Sequence, residues 1–173
     1  MKYKKSKLLV LAMAITLAII LVTPAQAKMP LVGTMDLTFN LAWLDVGPSE
    51  TVPEWEGTIT IDGDEYFMEF FNIGTGKQGD QIPGKTLHFG EIWKIWDDEE
   101  HSNLLLMGTD EGVVSLANSE YRMNGVVEEA NGDFKIWQNR NVHMSGDITW
   151  QVVVTPEGPV VAPETAPGVF RIN

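Results

Sequence analysis

The chain predicts an all-β fold, a single antiparallel β-barrel of about 8–10 short strands preceded by a signal peptide. Three observations carry this. Apolar residues recur with period 2 in segment after segment. Turn signals fall roughly every 8–15 residues. No stretch of the mature part shows sustained helical spacing. The composition, 44% hydrophobic and 21% charged over 173 residues, suits one globular domain.

Residues 1–27 read as an address. Lys2, Lys4, Lys5 and Lys7 form a positive start, and residues 8–22 are apolar apart from Thr16. Thr23-Pro24 breaks the run, and Ala25-Gln26-Ala27 fits a small-x-small cleavage site. As a helix the run would rise about 22 Å, short of the roughly 30 Å hydrocarbon core. The expectation is cleavage before Lys28 and a secreted, extracytoplasmic domain over 28–173. The alternative is an uncleaved N-terminal anchor with the domain outside, the only route to the membrane.

Net charge is −12 for the whole chain. Cleavage would remove four lysines and no acid, leaving 8 basic and 24 acidic residues, a charge of −16. Such a surface repels nucleic acid and anionic lipid, so neither is an expected partner. There is no cysteine, which excludes disulfides, thiolate metal sites and a thiol nucleophile. An exported domain of this kind depends on its apolar core.

The elements follow in order. Met35, Leu37, Phe39, Leu41 and Trp43 share one face over residues 34–43, giving the first strand. Trp55, Gly57, Ile59 and Ile61 give the second, and Asp62-Gly63 closes a hairpin onto a third over 65–73. Residues 74–84 are glycine-rich loop. Residues 86–96 fit both periods, and Gly90 with the aromatic and β-branched content favours strand. Asp97-Asp98-Glu99-Glu100 is a solvated turn. A short run at 104–107 is expected to turn at Asp110-Glu111-Gly112 and continue at 113–117. Further strands are expected at 121–128, 134–144 and 148–154. Residues 155–168 carry four prolines and read as an extended C-terminal extension with no core of its own. Residues 169–173 form a last short strand. A barrel is favoured over a sandwich because closure leaves no open edge.

Gly125-Val126-Val127, Ala130-Asn131-Gly132-Asp133-Phe134 and Gly146-Asp147-Ile148 form a glycine-punctuated strand-turn-strand pattern. It resembles that of allene-oxide-cyclase-like and dirigent-like barrels, and more distantly the calycins. The resemblance covers about 25 residues and implies a lumen that takes an apolar molecule. It carries over no catalytic residue.

Several motif matches fail on context. Gly79 to Thr86 spells a P-loop, but Pro83 removes an N–H donor and strand is expected where a helix must follow. Gly74-Thr75-Gly76-Lys77-Gln78-Gly79 spells a dinucleotide pattern without a βαβ unit around it. Lys94-Ile95-Trp96-Asp97 and Lys135-Ile136-Trp137 echo a propeller repeat in a chain too short to close a ring. His88, His101 and His143 lack zinc spacing, and the acidic turns lack calcium-loop spacing. Neither a metal nor a cofactor is expected.

Glu69 and Glu91 remain. Glu69 lies between Phe67 and Phe71 on its row, and Glu91 between Phe89 and Trp93 on its own. Both interrupt apolar rows, and both strands flank one long loop. They are expected either to point outward or pair with a cation such as Arg122, or else to meet inside an apolar lumen with raised pKa values. The candidate ligand-binding set is therefore Glu69, Glu91, Tyr66, Trp93 and Arg122. The expected function is binding of a small apolar or amphipathic ligand. The alternatives are a barrel enzyme of isomerase, cyclase or hydrolase type using the lumenal carboxylates as acid and base, and a surface module presenting tryptophan to glycans. Trp43, Trp55, Trp93 and Trp150 fall on apolar rows, which weakens the last.

Overall fold

The computed structural model describes residues 29–74 and 86–173. The expected leader and cleavage site, and most of the P-loop and dinucleotide patterns, lie outside the described residues. Ten strands are present among the described residues: β1 Leu31–Phe39, β2 Trp55–Ile61, β3 Asp64–Asn72, β4 Thr86–Trp96, β5 Leu104–Ser115, β6 Glu120–Ala130, β7 Asn141–Asp147, β8 Trp150–Thr155, β9 Gly158–Pro163 and β10 Gly168–Ile172. Eight of them close an antiparallel barrel in the order β1-β10-β7-β6-β5-β4-β3-β2, and β8-β9 form a separate two-stranded ribbon. The barrel is thus an up-and-down meander with one ribbon inserted before its last strand. Closure comes from β1 and β10, paired from Leu31–Ile172 to Met35–Gly168.

Alternation decides the two faces. In β1 the odd residues are buried and the even ones exposed without exception. The β2–β3 hairpin turns through Asp62 and Gly63, with φ of 54° and 96°, the left-handed pair a two-residue connection requires. An eight-stranded barrel is just wide enough to fill with side chains or to hold one small molecule. This one does both. The end holding the β2–β3 turn is packed with Ile59, Met68, Trp93, Ile95, Leu106, Met144, Phe170 and Ile172, each no more than 1% exposed. The other end receives the 40–54 connection, the 116–119 turn and the ribbon.

Four local expectations change. The first strand stops at Phe39, and Trp43–Val46 form one helical turn, α1. β5 runs unbroken through Asp110-Glu111-Gly112, because its inward row continues as Leu106, Gly108, Asp110, Gly112 and Val114. Gly132–Trp137 form a 3-10 turn rather than strand. The proline-rich segment is not a loose tail: β9 pairs β8 along its length, and Ala162 and Ala166 are buried. Prolines are tolerated there because a ribbon strand has a free edge. The 86–96 segment is strand, which removes the helix a P-loop needs.

Candidate functional site

A cavity of about 330 Å³ occupies the end of the barrel that receives the ribbon. That volume lies at the lower end of small-molecule sites. Leu37, Trp55, Phe70, Leu87, Phe89, Val114 and Met123 wall it from the strands. Trp43 of α1, Ile148 and Ala166 of the ribbon's flanks, and Trp150 and Pro163 of the ribbon itself complete the wall. Trp150 is anchored by its indole N–H, which donates to Ser119 Oγ at 3.0 Å. Tyr121 also lines the cavity, and a Cβ on Gly146 or Gly168 would collide with its side chain, so these glycines make room for it.

The floor is acidic. Glu91 lines the cavity from β4 and is 3% exposed. Its cross-strand partners are Asn72 on β3 and Asp110 on β5. Above and below this level, aromatic rings of β4 face glycines of β5, Phe89 opposite Gly112 and Trp93 opposite Gly108. A Cβ at Gly112 would strike the Phe89 ring, and one at Gly108 the Trp93 ring. The two aromatic layers shield the carboxyl pair between them.

Glu54, just before β2, is the third acid. Its backbone N–H donates to Phe70 O at 2.8 Å, which seats it beside β3. Its Oε2 accepts from Asn72 Nδ2 at 2.9 Å, and its carboxyl group lies beside that of Glu91. Burial, then the nearby Asp110 and Glu54, hold Glu91 well above the usual carboxylate range. Burial also pushes Glu54 up to about 7 and Asp110 up to about 8. Neither carboxyl oxygen of Asp110 meets a hydrogen-bond partner among the described residues, and both are shielded from solvent. The Trp43 indole N–H is likewise buried and unpartnered. Burial raises Tyr121 above the ordinary phenol range, so it stays neutral. No three acidic or histidine side chains among the described residues converge as a metal site.

The residues singled out from the sequence are scattered. Glu91 lines the cavity. Trp93 lies one layer deeper, fully buried and edge-on to Phe170 with ring centroids 5.5 Å apart. Tyr66 stands nearer the packed end, edge-on to Phe134 at 5.7 Å. Arg122 is on the outer face, its nearest acid Glu120 at 4.0 Å. Glu69 is also outside the barrel, and it is not a neighbour of Glu91. The β3–β4 register sets Glu69 against Lys94. It is buried nonetheless, because Trp96 Nε1 donates to its Oε2 at 2.9 Å and His101 Nε2 lies 3.5 Å from its Oε1. The His101 ring stacks on Trp96 at 4.8 Å. Both rows of β3 are apolar, so alternation alone left its inner face undecided.

Glu54 and Asp110 escaped the sequence reading. Glu54 precedes the second strand by one residue and lies on none of the rows that periodicity marks. Asp110 read as a turn, although the period-2 row from Leu106 to Val114 passes through it. That unbroken row was the available signal.

No protein-family model matches the chain, and no curated protein or solved structure matches it significantly. The closed eight-stranded antiparallel barrel is compatible with a calycin-like architecture. None of these comparisons names the allene-oxide-cyclase or dirigent families.

Proposed function

We propose that this protein is an exported binding module for a small apolar or amphipathic molecule held in the barrel cavity. The observation that carries the proposal is an apolar-walled space of about 330 Å³ ending on buried carboxyl groups. A core built only for stability is cheaper with Leu or Val at those positions, since burying a carboxyl costs several kcal/mol unless it is protonated or paired. The ribbon supports the same reading. The face that brings Trp150 and Pro163 to the cavity continues as the pairs Val152–Val161 and Val154–Pro159. Val152, Val154 and Val161 are 68%, 82% and 71% exposed, an apolar track beside the mouth. Titration with apolar probes, read by tryptophan fluorescence, tests the proposal. Quenching or blue shift that Trp150→Ala abolishes supports it, and no response to any probe refutes it. Export rests on the leader, and the intact mass of the protein from its host decides it.

A second reading has its own observation. Glu54 and Glu91 both line the cavity, and burial raises both, Glu54 to about 7 and Glu91 well above the usual carboxylate range. Two carboxyls set apart in this way are suited to act as base and acid at neutral pH. On that reading the barrel is an acid–base enzyme of the isomerase or cyclase kind, as the resemblance to allene-oxide-cyclase-like barrels would imply. Turnover of a bound probe, lost in Glu54→Gln and in Glu91→Gln, is its test.

A further inference from the structure

We infer that the cavity selects uncharged ligands bearing a hydrogen-bond acceptor, a carbonyl or ether oxygen, received by the indole N–H of Trp43. The inference rests on the ligand-binding reading and narrows it to a chemical class.

The donors of the cavity wall lead to it. Three of them are already used within the protein. Trp150 Nε1 donates to Ser119 Oγ at 3.0 Å, and Asn72 Nδ2 donates to Glu54 Oε2 at 2.9 Å. The Tyr121 hydroxyl points to Pro167 O at 3.5 Å. Trp43 differs from these. It lines the cavity from α1, yet its indole N–H is shielded from solvent and meets no acceptor among the described residues. An indole carries one donor and no acceptor, so only an acceptor can satisfy it. Native proteins seldom leave such a group unpaired, and an acceptor on a molecule held in the cavity supplies the partner. The ring is also held in place. It stands edge-on to Phe39 with centroids 5.9 Å apart, and Phe39 stands edge-on to Trp55 at 5.3 Å. A donor fixed in this way needs little reordering when a ligand arrives.

The competing ligand classes fit less well. A hydrocarbon fills the walls and leaves the Trp43 N–H without an acceptor. An ammonium group brings only donors, and it would have to expel the protons that burial keeps on Glu91 and, in part, on Glu54. A carboxylate or phosphate accepts, but it loses its water among apolar walls where no cation offsets its charge. His88, the basic side chain of the lining, is exposed on the row opposite to Phe89 and Glu91. The chain's net charge of −12 further opposes the approach of anions. An uncharged oxygen acceptor meets the one demand the wall makes without bringing a charge into it.

The test uses four probes of similar size on the full chain at neutral pH. Acetophenone carries the acceptor, cumene has nearly the same shape without it, and benzylammonium and benzoate carry the two charges. Binding is followed by NMR with the tryptophan indoles labelled with nitrogen-15. Acetophenone is expected to move the Trp43 indole N–H resonance downfield, and cumene to leave it close to its free position. Trp43→Phe keeps an aromatic wall and removes the donor. It should weaken acetophenone about fivefold, the scale of one neutral hydrogen bond, and cumene less than about twofold. A thermal melt checks that the variant folds, and if it does not, the indole resonance of the unaltered protein decides. Acetophenone binding with that resonance unmoved, or equal weakening of both neutral probes in Trp43→Phe, overturns the acceptor assignment and leaves the apolar-ligand reading standing. Tighter binding of benzylammonium or benzoate than of acetophenone overturns the preference for uncharged ligands. Binding of none of the four overturns both the inference and the reading beneath it.

Discussion

Glu91 and Asp110 stand directly opposite each other across the β4–β5 ladder, both on the row that faces the barrel interior. Like charges in that position repel, and burial removes the water that would screen them. The pair is tolerated because burial keeps both carboxyls protonated into the neutral range. Trp93 and Phe89, each laid over a glycine of β5, keep water from entering on either side. The arrangement stores acid chemistry at the floor of an otherwise apolar cavity.

Stability should fall as pH rises from about 4 to 8, the reverse of the usual behaviour of paired carboxylates. Asp110 is raised from 3.8 to about 8 in the folded chain. Across that window the folded state holds a proton that the unfolded state has released, so rising pH favours unfolding. Below the window both states are protonated and the penalty vanishes. Asp110→Asn cannot ionise, so it should match the unaltered protein near pH 4 and exceed it by about a few kcal/mol near pH 8. Urea unfolding across the range is the measurement. A variant less stable at pH 8 would mean that Asp110 is ionised and partnered.

Glu69 and Glu91 should respond to substitution in opposite ways. Glu69→Ala strips Trp96 Nε1 of its acceptor and His101 of its acid, so it should cost about 1–3 kcal/mol. It should leave ligand binding untouched, because Glu69 lies outside the barrel. Glu91→Gln replaces a protonated carboxyl by an amide of similar shape, so stability should change little while ligand preference changes. Thermal melts with and without an apolar probe read both. Equal loss of binding in the two variants would contradict the placement of Glu69.

Gly112→Ala should reshape the cavity at modest cost to the fold. The added Cβ meets the Phe89 ring and Met123 Cγ, both movable side chains that line the site. Gly108→Ala meets the Val126 carbonyl oxygen as well as Trp93, and a backbone atom in a closed barrel cannot yield. The expectation is about 1 kcal/mol for Gly112→Ala and about 3 kcal/mol for Gly108→Ala. Ligand affinity should shift more in Gly112→Ala, where the displaced ring enters the cavity. Chemical denaturation and a binding titration on both variants give the comparison.

Trp150→Ala should loosen the ribbon from the barrel mouth. The substitution removes the donor to Ser119 and one wall of the cavity. Trp150 is only half-buried, so the cost should be about 1–3 kcal/mol, below that of a fully buried tryptophan. Faster amide hydrogen exchange in β8 and β9, with the eight barrel strands unchanged, is the expected signature. Uniform acceleration across β1 to β7 would show that the ribbon is integral to the barrel.

The sequence by itself determined the fold class and most strand positions, and it singled out Glu91 while leaving open whether that side chain points inward. Period 2 is local, so it survives without knowledge of neighbours, as the strict alternation of β1 shows. Asp62-Gly63 likewise declares its turn through backbone freedom alone. Tertiary structure decided which face of β3 is inward, since Phe67, Phe70 and Phe71 make both rows apolar and only the pairing register separates Glu69 from Glu91. It decided that Asp110 continues a strand, because a polar triplet reads as a turn until a ladder on both sides supplies its hydrogen bonds. It brought Glu54 to Glu91 across the β2–β3 and β3–β4 ladders, with Asn72 between them. The acidic floor is a product of register and curvature, which act between strands, and no single strand carries their signature.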